Sequence, residues 1–315
     1  MDQKAKLLFA VLLVLTTGGR AVSFGTALSV AAGTGKPNNG SAAAELRIPR
    51  PVSFREVPGR GLIVKTWINS VGPFSFAIDT GAGATLLSPG VAEEARVTIK
   101  NGRANSIAGL SGTRVSARDA SIQTLAVGDR ENYLPAKGDV MVINGLPRDL
   151  DGVLDPTEVF SPLGYVIDLP QHELSAFDPR TAPIRINEQP AEGTVVQWLR
   201  EGRGRRPFVM LDNGDRALLD TGSSLGLAIR DSSPGDRKVP AYSVRDVGGG
   251  QISSRRVNPT TIAIGALTLR RIPTDLISGA EADAPVLLGL SALRPFRLSF
   301  DPVHRLIEIA PAGLR

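Results

Sequence analysis

The chain carries two Asp-Thr-Gly triplets 141 residues apart. Asp79-Thr80-Gly81 lies in FAIDTGAGATLLS and Asp220-Thr221-Gly222 in ALLDTGSSLGLAI, each after a short apolar run and each before small residues. A lone triplet of this kind arises by chance, but here the surroundings repeat as well. Gly152-Val153-Leu154-Asp155 follows the first and Val286-Leu287-Leu288-Gly289 the second, and after them come YVIDLPQHEL and RLSFDPVHRL. Pro170, His172 and Leu174 then align with Pro302, His304 and Leu306, so the successive offsets are 141, 134 and 132 residues. A near-constant period predicts an internal duplication of a unit of about 130 residues, an ordinary domain size. Two carboxylates delivered on matching repeats are what an acid/base dyad needs.

The 315 residues suffice for two such units and a large core. No cysteine is present, which removes disulfides, thiol catalysis and thiolate metal sites together. At the N-terminus Lys4 and Lys6 precede the apolar run Leu7 to Leu15, with small residues after it. This reads as a secretory leader over residues 1–23, and the run is well short of the ~20 residues of a membrane span. The mature protein is therefore expected to be exported, periplasmic or secreted, and anchored only if the leader stays uncleaved. The net charge of +5 is spread along the chain, and the one tight basic cluster, REGRGRRPF, reads as a turn between two strands. Aromatic-basic interleaving and a recognition helix are both missing, so nucleic acid is not an expected partner.

Residues 24–46 are small and polar and read as a flexible linker. A proline-rich break at 178–194 separates the repeats, giving one lobe at 47–180, a linker at 181–194 and a second lobe at 195–311. LIVKTWI, FSFAI, FVML, RALLD, TIAIG and LIEIA are short, apolar and β-branched, and bounded by Gly, Asn, Pro or Asp. Helical periodicity is scarce, with VAEEARV at 91–97 the best candidate. The expected fold is all-β.

At these residues the chain resembles the aspartic proteases, and more closely their retropepsin-like branch. The resemblance implies two β-barrel lobes related by a pseudo-twofold axis, with the active-site cleft between them and Asp79 facing Asp220. It implies that the Thr80 and Thr221 hydroxyls bond across the axis. Two adjacent carboxyls cannot both ionise, so one serves as general base toward water while its protonated partner polarises the scissile carbonyl. Gly81 and Gly222 let the backbone turn tightly and bring an N–H to each carboxylate. Ala82 and Ser223 come next, and the Ser223 hydroxyl is expected to donate toward Asp220, leaving Asp79 with the shared proton. Gly109-Leu110-Ser111-Gly112 and Gly248-Gly249-Gly250 look like two flaps closing over an extended peptide. No cofactor or metal is expected, and with both half-sites in one chain the protein is expected to be a monomer. Asp155 departs from the pattern, since the family has glycine there, as at Gly289; a tolerated left-handed backbone would explain the exchange.

Other chemistries fit less well. Gly222-Ser223-Ser224-Leu225-Gly226 matches the nucleophile elbow of serine hydrolases, but Pro234 and Gly235 close off the helix that motif requires. Two distant histidines without cysteine leave no zinc ligand set. A peptide-binding module that has lost turnover is the alternative, and retention of both aspartates argues against it.

Overall fold

The computed structural model describes residues 47–102, 104–135, 138–201, 204–231, 241–247 and 249–311, with the backbone of 8–9 and 14–15. The expected leader and the linker to residue 46 otherwise lie outside the described residues. Among the described residues the regular structure is almost all β, in three sheets of eleven, nine and six strands. Among the described residues no helix is long and apolar enough to cross a membrane.

The eleven-stranded sheet holds the first triplet. Gly61–Ile68 and Val71–Ile78 form an antiparallel hairpin. Its two turn residues, Asn69 and Ser70, both have positive φ (50° and 65°), the primed geometry that matches strand twist. The Asn69 side chain fixes this turn by accepting from Gln123 N–H at 2.7 Å and donating to the Ala95 carbonyl at 2.9 Å. Alternate apolar residues of both strands face a core shared with Phe160, Leu227 and Phe300.

The nine-stranded sheet repeats the arrangement around the second triplet. The strand entering each triplet runs parallel to a later strand: Val71–Ile78 beside Gly152–Leu154, and Arg216–Asp220 beside Val286–Gly289. Each later strand also pairs antiparallel with the one leaving its triplet loop, Leu86–Leu87 in the first half and Leu227–Arg230 in the second. Every triplet thus sits at a strand end, clamped from both sides. Among the short helices, Pro89–Glu94 begins two residues before the expected segment and stops three before its end. Ser88 caps it and Pro89 supplies the preset φ of a first helical residue, signals that outweigh the apolar spacing.

The six-stranded sheet joins the halves. Gly164–Asp168 pairs antiparallel with Phe296–Asp301, and Tyr165 stacks on Phe300 at 4.6 Å between centroids. Each of these strands turns back through four residues to Glu173–Phe177 or Leu306–Pro311. Here the sequence alignment needs correction by one residue. The left-handed turn residues are His172 (φ 53°) and Arg305 (φ 57°), and the amides held by Asp168 and Asp301 are those of Gln171 and His304. His172 therefore corresponds to Arg305, not His304, because turn geometry sets the register and the shared Pro-x-His letters do not.

Residues Leu8–Phe9 and Val14–Leu15 add short strands to the edges at Val244–Arg245, in parallel, and Ile107–Ala108, antiparallel.

Candidate active site

The two triplet loops meet through reciprocal hydrogen bonds. Thr80 N–H donates to Thr221 Oγ1 and Thr221 N–H to Thr80 Oγ1, both at 3.1 Å. Each hydroxyl then donates onward into the opposite half, Thr80 to the Leu219 carbonyl at 2.6 Å and Thr221 to the Ile78 carbonyl at 3.0 Å. All four groups are buried, so losing one hydroxyl leaves a donor and an acceptor without partners. Thr80→Val should cost about 2–4 kcal/mol of unfolding free energy in a urea titration; a change under about 1 kcal/mol would show that these bonds do not hold the halves together.

The loops deliver Asp79 and Asp220 side by side, each 0% exposed. Gly81 N–H donates to Asp79 Oδ1 at 2.7 Å and Gly222 N–H to Asp220 Oδ1 at 2.9 Å, while both Oδ2 atoms are buried without a hydrogen-bonding partner. Each glycine also lies against the other half's acid. A Cβ at Gly81 would stand 2.9 Å from Asp220 Oδ1, and one at Gly222 would stand 2.7 Å from Asp79 Oδ1. Even alanine would push the carboxyls apart. Ala82 and Ser223 close the loops with matching amide bonds to the Asp79 and Asp220 carbonyls, at 3.4 and 3.3 Å.

Burial holds the Asp79 carboxyl well above the usual range, and the charge of Asp220 pushes it the same way. Burial also raises Asp220, to about 7, with the Gly222 N–H, contact with Asp79 and the Arg206 guanidinium pulling it back. Arg206 is itself buried and paired with Glu201, its Nε 2.7 Å from Oε2, across the antiparallel strands Leu199–Glu201 and Gly204–Met210; residues 202–203, where the turn was expected, lie outside the described residues. The Ser223 hydroxyl does not play the expected part. It accepts from Leu225 N–H at 3.3 Å, and it is the Ser223 backbone amide that favours the charged form of Asp220.

Asp155 stands where Gly289 stands in the other half, but not for the expected reason. Neither has a left-handed backbone: φ is −82° at Asp155 and −103° at Gly289. Gly289 is required by close approach, since a Cβ there would fall 2.6 Å from the Leu225 carbonyl oxygen and 2.7 Å from that of Ser223. Its N–H donates to the Gly226 carbonyl, whereas the Asp155 N–H donates to Thr85 Oγ1. Asp155 caps the helix Pro156–Val159 by accepting from Thr157 N–H, and Glu158 accepts from Thr85 N–H. Burial pushes Asp155 up to about 7, helped by Glu158, and the charge of Asp155 in turn raises Asp79. Thr85 and Glu158 were not singled out from sequence, although Asp155-Pro156-Thr157-Glu158 has the acid, proline and spaced glutamate of a helix start.

The glycine-rich segments connect antiparallel strand pairs. Gly109 to Thr113 joins Asn105–Ala108 to Arg114–Ile122, and Asp246 to Gly250 joins Tyr242–Arg245 to Gln251–Ile264. Gly248 lies outside the described residues. The serine-hydrolase elbow is not built. Leu227–Arg230, a strand, follows Gly226 where that motif needs a helix, and His304 is bound to Asp301 in the joining sheet.

Residues 64–154 match the aspartyl protease family model. The matched stretch is aspartyl-protease-like. It begins within Gly61–Ile68, the strand before the one that enters the first triplet, and runs through the tip at Gly109 to Thr113 to the residue before Asp155. A comparison with curated proteins returned no match.

Proposed function

We propose that the chain is an aspartic endopeptidase formed by internal duplication, with Asp79 and Asp220 as its shared-proton dyad. The reciprocal threonine bonds carry this reading, because they bring two buried carboxyls from separate halves into one site. Asp79, the more strongly raised, holds the proton. Asp220 takes a proton from water as the water oxygen attacks the scissile carbonyl carbon, and Asp79 gives its proton to the carbonyl oxygen. On collapse Asp220 passes its proton to the leaving nitrogen, the C–N bond breaks, and Asp79 recovers its proton as the new carboxyl forms. The substrate is an extended peptide lying under the hairpin tips, with subsites mainly aliphatic. The chain works as an exported monomer.

Digestion of a peptide library by the purified protein tests this reading. A statine peptide, which imitates the tetrahedral intermediate, should inhibit competitively, whereas a fluorophosphonate should leave Ser224 unlabelled; labelling of Ser224 with loss of activity would move the chain to the serine hydrolases.

The pH dependence follows from burial. Below the pKa of Asp220 both carboxyls are protonated and no base remains, so activity rises with pH through that value and falls again when Asp79 loses its proton. The acidic limb of kcat/KM should lie near pH 7, where burial places Asp220. A limb near pH 4 would show a dyad open to solvent.

A further inference from the structure

The two hairpin tips share one backbone hydrogen-bond pattern and differ sharply at their first position. Gly109 N–H donates to the Thr113 carbonyl and Asp246 N–H to that of Gly250, while Gly112 and Gly249 N–H donate back to the Gly109 and Asp246 carbonyls. Gly109 and Asp246 are therefore equivalent, and only the second carries a side chain. That carboxylate is 1% exposed and spans both tips: Oδ1 accepts from Gly250 N–H at 2.9 Å within its own hairpin, and Oδ2 from Ser111 N–H at 2.8 Å in the other. The absence of a side chain at Gly109 is what admits it, since a Cβ there would fall 2.7 Å from Asp246 Cβ.

The apolar tip residues cross over in the same place. Leu110, from the first half, is buried among Phe208, Leu218 and Leu225 of the second, and its carbonyl accepts from Glu281 N–H at 3.2 Å. Val247, from the second half, is buried among Ile63, Ala77 and Leu86 of the first. Cavities of about 400 and 270 Å³ share Arg205 and Ser161, and neither Asp79 nor Asp220 lines them.

We propose that Asp246 is a positioning residue, whose carboxylate clasps the two hairpin tips together and fixes the closed geometry of the cleft over the dyad. The proposal rests on the peptidase reading for its catalytic consequence and on the tip contacts alone for the clasp. A peptide enters by parting the tips, and the clasp then re-forms to hold the scissile bond in line with the two carboxyls.

Two variants approach the clasp from opposite sides. Asp246→Ala removes the acceptor, and Gly109→Ala keeps the acid but forces a methyl group against it. In each, amide hydrogen exchange at Ser111 and Gly250 should quicken by at least about tenfold, with the Thr80 and Thr221 amides unchanged. On a peptide substrate kcat should fall about tenfold or more while KM moves less, and the double variant should be no worse than the poorer single one. Unchanged exchange overturns the clasp. Faster exchange with unaltered kcat, or a rise in KM alone, overturns the positioning role. Should Asp246→Ala fail to fold, Gly109→Ala reads the same contact with the carboxylate intact. If the wild-type chain cleaves no peptide, the peptidase reading and the positioning role fail together, and the exchange measurement still decides the clasp.

Discussion

Asp79→Asn and Asp220→Asn should each lower peptide hydrolysis by at least about 10³-fold, because the acid and base roles are divided between two carboxyls and neither survives alone. The substitution is mild in every other respect. An asparagine Oδ1 can still accept from Gly81 or Gly222 N–H, the contacts made at 2.7 and 2.9 Å, and the threonine bonds between the loops do not involve these side chains. Each variant also removes a buried carboxyl whose ionisation burial opposes, so neither should unfold more readily than wild type at neutral pH. Turnover and unfolding measured on the same preparations separate chemistry from folding. Near-wild-type turnover in either variant would rule out the shared-proton mechanism.

Asp155→Asn should stabilise the fold at neutral pH by up to ~4 kcal/mol and do almost nothing at pH 4. The folded chain holds Asp155 at about 7, while an unfolded aspartate titrates near ~3.9. Between these values the native state keeps a proton that the unfolded state has lost. Stability therefore falls as pH rises through the window, by about 1.4 kcal/mol per pH unit for this one group. Asparagine keeps a carbonyl oxygen for the Thr157 N–H that Asp155 now holds at 2.9 Å, so the helix cap survives without the buried charge. Urea titrations at pH 4 and pH 8 read the difference directly. An equal gain at both pH values would mean that the acid is not titrating with folding. Because Asp155 also raises Asp79, the same variant should move the basic limb of the pH–rate profile to lower pH.

Much of this was local enough to read from the chain. The all-β character follows from short β-branched runs bounded by turn residues, and the hairpin tips from glycine-rich breaks at equivalent distances from each triplet. What local pattern misjudged was register and capping. The shared Pro-x-His letters suggested one alignment of the joining hairpins, but positive φ at His172 and Arg305 set another. VAEEARV carried the apolar spacing, yet the helix starts at Pro89 behind the Ser88 cap. At Ser223 the hydroxyl was the obvious donor by chemistry alone, but in the folded loop it serves Leu225 N–H and leaves Asp220 to the backbone amides.

The sequence by itself determined that the chain forms strands and glycine turns and that two Asp-Thr-Gly triplets sit in matching surroundings, because strand propensity, turn chemistry and period are properties of neighbouring residues. Only the tertiary structure decided what those pieces meet. Gly81 is needed for the carboxylate of Asp220, 139 residues away, as Gly222 is for that of Asp79. Leu110 and Val247 are buried in each other's halves, and Asp246 has room only because its counterpart is Gly109. Such dependences arise from steric exclusion and hydrogen bonding between segments that are distant in the chain and adjacent only in the folded structure, and spacing along the sequence carries no record of them.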